Sequence, residues 1–198
     1  LGVVRSQRHH AEILGVDAEE ARRIPGVVGV LLASDIPGEN RHGMITPDQP
    51  LLAEKRVRYM GEAICLVAAV DEDSLASGLR AVRVEYADLT PVLDPETALE
   101  EWAPGLHETG NLLMRRTIHK GDVEEALSGS HLVVERTYRT GHVEHNYLEP
   151  DAGVGYLAED GTYVIHCSTQ NPHDDRKDVS EIIAVEENLS SHRVSAAV

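Results

Sequence analysis

The stretch AICLVAAV, Ala63 to Val70, constrains the fold most, because it offers water no polar face. Successive side chains of a strand point to opposite sides, so a strand apolar on both must be covered on both. The run is far too short to cross a bilayer, which takes about 20 apolar residues as a helix. It therefore predicts the central strand of a covered sheet. Residues from Leu1 to about Thr97 are expected to fold around it as a compact α/β unit.

What surrounds the run has one recurring grammar: an acidic helix start, two or three helical turns, then a β-branched strand. In DAEEARRIPGVVGVLLA, Asp17 is the expected N-cap with Glu20 at the capping-box position, followed by a strand over Val27 to Ala33. In DEDSLASGLRAVRVEY a helix starts near Glu72 and a strand covers Val82 to Tyr86. In GDVEEALSGSHLVVERTY, Asp122 pairs with Glu125 at the helix start, and a strand begins at Leu132. The three are too dissimilar for a duplicated repeat, and together they predict helices covering one side of sheets.

Further along, AGVGYLA and TYVIHCS flank AEDGT as the two arms of a hairpin. NPHDDRKDVSEIIAV then reads as a helix with Pro172 in its first turn and Val179, Ile182 and Ile183 on one side. Between the units, Asp94 to Gly110 is rich in proline and glycine and suits a linker. The chain opens at Leu1 in the strand-like LGVVR and stops in another, HRVSAAV, so it is expected to be a piece of a longer protein.

Composition excludes some partners. Eighteen basic residues against 34 acidic give a formal charge of -16, and nucleic acid or an anionic membrane requires a basic face. Cys65 and Cys167 lie far apart in apolar runs and are expected to be free thiols in a reducing, cytoplasmic setting.

The densest polar chemistry lies in GHVEHNYLEPDAG, Gly141 to Gly153. Zinc needs three or four converging ligands, and His-Val-Glu-His matches neither the helical His-Glu-x-x-His nor its inverted form. The His-x-Glu pair also lacks the Pro-Cys-x-x-Cys of the zinc deaminases. On an extended chain His142 and His145 point to opposite faces, with Val143, His145 and Tyr147 on one side. No metal is expected between them. His173 with Asp174 and Asp175 suits a helix N-terminus, where carboxylates favour the dipole. His9-His10 falls at a turn. Gly153-Val154-Gly155 has no helix after it and is no dinucleotide fingerprint.

The order of these stretches carries a resemblance. RIPGVVGVLLASDIPGEN, then LLAEKRVRYMGEAICLVAAV running on to DLTPVLDPETAL, then LHETGNLL, then TYRTGHVEHNYLEPDAGVGYLAEDGTYVIHCSTQNPH, stand in sequence. Together they resemble the molybdenum-binding large subunit of the xanthine dehydrogenase and aldehyde oxidase family. Arg56 to Glu62 and Val84 to Ala98 match its α/β-hammerhead domain. The resemblance implies an α+β hammerhead over residues 1–98, a linker over 99–110, and the first part of an α+β molybdopterin-binding domain over 111–198. The wording around IHKGDVEEAL and TQNPHDDRKDV is closest to bacterial xanthine dehydrogenases, selenium-dependent ones included.

In the family the segment at Val143 reads Gln-Glu-His-Phe-Tyr-Leu-Glu, matched here through Glu144, His145, Tyr147, Leu148 and Glu149. Its glutamine donates a hydrogen bond near the molybdenum, and Val143 stands in that place. The family's glycine-rich loop and glutamate base would follow beyond Val198, so no catalytic residue and no metal ligand is expected within this chain. The resemblance implies, for the whole enzyme, hydroxylation of a purine or other N-heterocycle, or of an aldehyde, by a molybdopterin-type cofactor. Electrons would leave through iron-sulfur clusters and FAD on other domains or subunits, while the piece alone would be inactive. Two other readings compete: a non-catalytic hammerhead scaffold, and a zinc hydrolase built on His142, Glu144 and His145.

Overall fold

The computed structural model describes residues 1–43, 45–146, 148, 152–185 and 192–196. The first unit holds two three-stranded sheets. One has the order β1 (Gly2–Arg5), β5 (Ala63–Ala69), β3 (Val27–Leu32), all antiparallel. The other has the order β4 (Arg56–Val57), β2 (Ala11–Asp17), β6 (Arg83–Asp88).

The expected central strand is central, and its two faces feed different cores. Cys65 and Val67 pack with Val30, Ala18 and Ala21 beneath Leu75 and Leu79. Ile64 turns the other way, to Val57 and Ala11 of the second sheet and to Ala53 in the loop before β4. All three β5 side chains are at most 1% exposed. Helices α1 (Glu19–Arg22) and α2 (Glu72–Ala81) cover the first sheet. Gly78 lets α2 lie close, since a Cβ there would come 2.9 Å from both Val27 and Val67. At the α2 start the Ser74 N–H donates to Asp71 Oδ1 at 2.7 Å. That bond, first, holds the Asp71 carboxyl below its usual value.

Two expectations fail here. The residues before the first helix form β2, whose ladder with β6 runs through Asp17 opposite Arg83. Ala18 is therefore the N-cap; Asp17 Oδ1 accepts from the Glu19 N–H at 3.0 Å, and Glu20 pairs with Arg83 at 3.0 Å instead of closing a capping box.

The second expectation concerns residues after α3 (Val123–Ser128), where Asp122 Oδ1 does accept the Glu125 N–H at 2.9 Å. The strand expected from Leu132 is absent; Leu132, Val133 and Val134 are exposed and no ladder reaches them among the described residues. A strand-forming pattern yields a strand only where a neighbour takes its N–H and C=O groups.

The expected hairpin is present as β7 (Gly153–Leu157) and β8 (Tyr163–Cys167), paired from Gly153 opposite Cys167 to Leu157 opposite Tyr163. From β8 the chain passes through α4 (Pro172–Ile182) to β9 (His192–Ala196), parallel to β8. A helical crossover is what a parallel pair requires. Pro172 stands in the first turn of α4, and Val179, Ile182 and Ile183 are half-buried together. Among the described residues no helix is long and apolar enough to cross a membrane.

Candidate functional site

The segment that carries the family motif is open. From Leu112 to Asn146 every residue is exposed, and Val143 is 85% so. Asn146 takes a left-handed φ of 54°, which ends simple alternation along the segment. Glu144 Oε1 accepts the His145 N–H at 3.1 Å. Among the described residues no three His, Cys, Asp or Glu side chains gather as a metal would require. Tyr147 and Glu149 lie outside the described residues.

Among the described residues one ion pair ties the segment down. Arg139 reaches Glu96 Oε2 at 2.6 Å. Beside it Asp94 Oδ2 accepts from the Thr97 N–H and hydroxyl at 2.8 and 2.9 Å. These bonds, with Arg139 adding less, hold the Asp94 carboxyl below its usual value. Asp94, Glu96, Arg139 and His142 share the wall of an open cleft of about 460 Å³.

A second polar assembly, unmarked in the sequence as a site, lies where the connector, the proline- and glycine-rich Asp94 to Gly110, meets the first unit. Two adjoining cavities of about 290 and 400 Å³ share Asp48, Pro50, Arg58 and His107. Glu62 is only 3% exposed and accepts the Arg58 backbone N–H, while the Arg58 guanidinium stands 3.5 Å from its other oxygen. Arg58 Nε also donates to Leu106 O at 2.9 Å. His107 Nδ1 lies 2.8 Å from Asp48 Oδ2 but without hydrogen-bond alignment, so the contact is one of charge when the ring is protonated. Asn111 accepts the Leu106 N–H and donates to Ala98 O and Pro104 O. The charged groups at the centre of this seam face one another, an arrangement that fixes the connector in place. The signal was present in Arg56 to Glu62 and in LHETGN, as motif rather than as chemistry.

The remaining candidates are structural. His173, Asp174 and Asp175 open α4, with Asp174 bonded to Asn171 and Asp175 to Thr169. His10 is buried, its Nδ1 2.7 Å from Thr90 O and its Nε2 without a partner among the described residues. Both cysteines are free thiols, and burial pushes the Cys65 thiol up to about 11. Gly153-Val154-Gly155 lies inside β7.

Comparison with known proteins agrees with this architecture. Residues 1–90 match the a/b hammerhead domain of aldehyde oxidase and xanthine dehydrogenase, and residues 106–195 match the molybdopterin cofactor-binding domain. The chain is 41% identical over 184 residues to the nicotinate dehydrogenase large molybdopterin subunit of Eubacterium barkeri, covering 93% of this chain and 43% of that one. It is 40% identical over 185 residues to a probable xanthine dehydrogenase component of Bacillus subtilis, covering 93% and 25%. Among solved structures, aldehyde oxidoreductase from Desulfovibrio gigas superposes with a TM-score of 0.89 at 26% identity, covering 98% of this chain and 22% of that one. Quinoline 2-oxidoreductase from Pseudomonas putida 86 gives 0.85 at 26%, covering 98% and 26%. The chain thus spans less than half the length of each of these relatives. With a hammerhead match followed by a cofactor-domain match along nearly its whole length, the chain belongs to the aldehyde oxidase and xanthine dehydrogenase family of molybdenum-dependent oxidoreductases.

Proposed function

We propose that these residues are the hammerhead and the leading part of the cofactor-binding domain of a cytoplasmic enzyme that hydroxylates an N-heterocycle or an aldehyde with oxygen drawn from water. The observation that carries the reading is the order of the two family matches along one chain. Residues 1–98 form the hammerhead, 99–110 the linker, and 111–198 the start of the second domain. Iron-sulfur and FAD domains or subunits carry the electrons away. The 41% identity to a nicotinate dehydrogenase subunit supports the N-heterocycle branch.

Bound in the complete enzyme, the molybdenum cofactor supplies the redox chemistry. The exposure of every residue from Leu112 to Asn146 supports the reading that this chain supplies only part of a pterin's enclosure. Their part is one wall, with Val143 at the place of the family's metal-proximal glutamine and its side chain uncovered. A valine there contributes shape and no donor.

The test has two arms. The 198-residue chain, purified alone, is expected to carry no stoichiometric molybdenum and to oxidise neither nicotinate, purines nor aldehydes; metal with turnover would overturn the reading of a partial site. In the full-length protein, Val143→Gln is expected to shift relative kcat/KM between heterocycle and aldehyde by about tenfold, the scale of one added donor, with little change in Tm. Unchanged preference would remove Val143 from the pocket.

A further inference from the structure

The last turn of a helix leaves carbonyls without intrahelical partners. In α4 two of them are met from the other unit. Ile183 and Val185 donate their N–H groups back to Val179 O and Ser180 O, both at 3.0 Å. Glu181 O accepts the Glu39 N–H at 3.0 Å, and Ile182 O accepts the Gly38 N–H at 2.9 Å. In the common helix-ending motif the residue after the C-cap would donate to the carbonyl that Glu39 serves here. That residue is Ala184, at a left-handed φ of 53°.

Gly38 is required by the approach. A Cβ at this position would stand 1.9 Å from Glu181 O, 2.8 Å from Ile182 O and 3.0 Å from Ala184 N. These are backbone atoms, which cannot swing aside as a flexible side-chain end would. The same loop continues along the helix, and His42 and Gly43 share a cavity of about 320 Å³ with Asn171, Asp174, Lys177 and Asp178.

We propose that Ile36–Glu39 is a latch: the hammerhead supplies the two donors that cap the last carbonyls of α4 and so sets the position of the β8–α4–β9 crossover in the cofactor-binding domain. Gly38 and Glu39 are positioning residues that act through the helix. The loop also lines the connector cavity through Glu39 and Asn40, so cavity and helix share one wall. These contacts join backbone atoms and are independent of which substrate the enzyme takes.

Hydrogen exchange on the full-length protein tests it. Gly38→Ala is expected to speed exchange in peptides covering residues 178–185 roughly tenfold to thirtyfold, as loss of two hydrogen bonds implies, while α2 and β5 keep their protection. Gly29→Ala is the control, because nothing stands within 4 Å of its would-be Cβ. If Gly38→Ala unfolds the whole protein, the wild type decides. Its Gly38 and Glu39 amides should exchange at the rate of the α4 last turn, and exchange at the rate of an open loop would overturn the latch. Unchanged α4 exchange in a folded Gly38→Ala protein would do the same.

Discussion

Glu62 offers the sharpest test of what holds the connector. The residue is 3% exposed, and its carboxylate accepts the Arg58 N–H and faces the Arg58 guanidinium at 3.5 Å. Glu62→Ala removes the acceptor of the Arg58 backbone N–H and of Nη1, leaving only the Nε bond to Leu106 O. Losing one member of a buried pair costs about 3–5 kcal/mol, and the 24% exposure of the Arg58 side chain places this case at about 3. Glu62→Gln keeps an oxygen for the Arg58 N–H and loses only charge, so about 1–2 kcal/mol is expected. Arg58→Ala leaves the backbone N–H in place but strands the buried Glu62 carboxylate without its charge partner and gives up the bond to Leu106 O, at about 3 kcal/mol. Urea unfolding followed by circular dichroism measures each value, and the Arg58/Glu62 double mutant should show a coupling of about 1–2 kcal/mol. Arg58→Ala alone should also free the connector, raising the mobility of Trp102, the single tryptophan, in fluorescence anisotropy. Equal losses for Glu62→Gln and Glu62→Ala, or zero coupling, would refute the account of the seam.

Cys65 and Ala184 carry the other expected outcomes. Cys65, with its thiol at about 11 against an ordinary 9.0, should resist alkylation in the folded state at about pH 8, when its thiolate fraction is roughly a hundredfold below that of an unperturbed thiol. The neutral thiol favours the fold, so its contribution is fully present below about 9 and is lost as pH rises through about 11, which Cys65→Ala should flatten in an alkaline denaturation series. Ala184→Gly should stabilise the chain by about 0.5–1 kcal/mol in a thermal melt, because glycine adopts the left-handed conformation without the Cβ clash. A melt that falls would show that Ala184 makes a contact worth more than its strain.

What the sequence revealed followed from local rules. The apolar AICLVAAV run fixed β5 as central, and the acidic starts at Asp71 and Asp122 marked two helices, because both signals lie within a few residues of what they determine. Strand β2 escaped notice since Leu14 and Gly15 interrupt its alternation and an acidic helix start follows at once. HLVVERTY misled in the opposite direction: its pattern is strong, but pairing depends on residues elsewhere in the chain. The site was legible only as motif. Val143 stands in a recognisable phrase, whereas Arg58 with Leu106 and Gly38 with Ile182 meet across long sequence separations. Backbone donors leave no mark on residue identity, apart from a glycine at the point of closest approach.

The latch also has a direction in time. Gly38 and Glu39 are synthesised about 140 residues before the carbonyls they serve, which at roughly 5–20 residues per second is an interval of about 7–30 seconds. The hammerhead therefore has time to fold before α4 leaves the ribosome, and the helix emerges onto a finished surface that already presents its two missing donors. Assembly of the second domain is in this sense templated by the first, and a slow-folding hammerhead would delay the crossover even where every residue of α4 is intact.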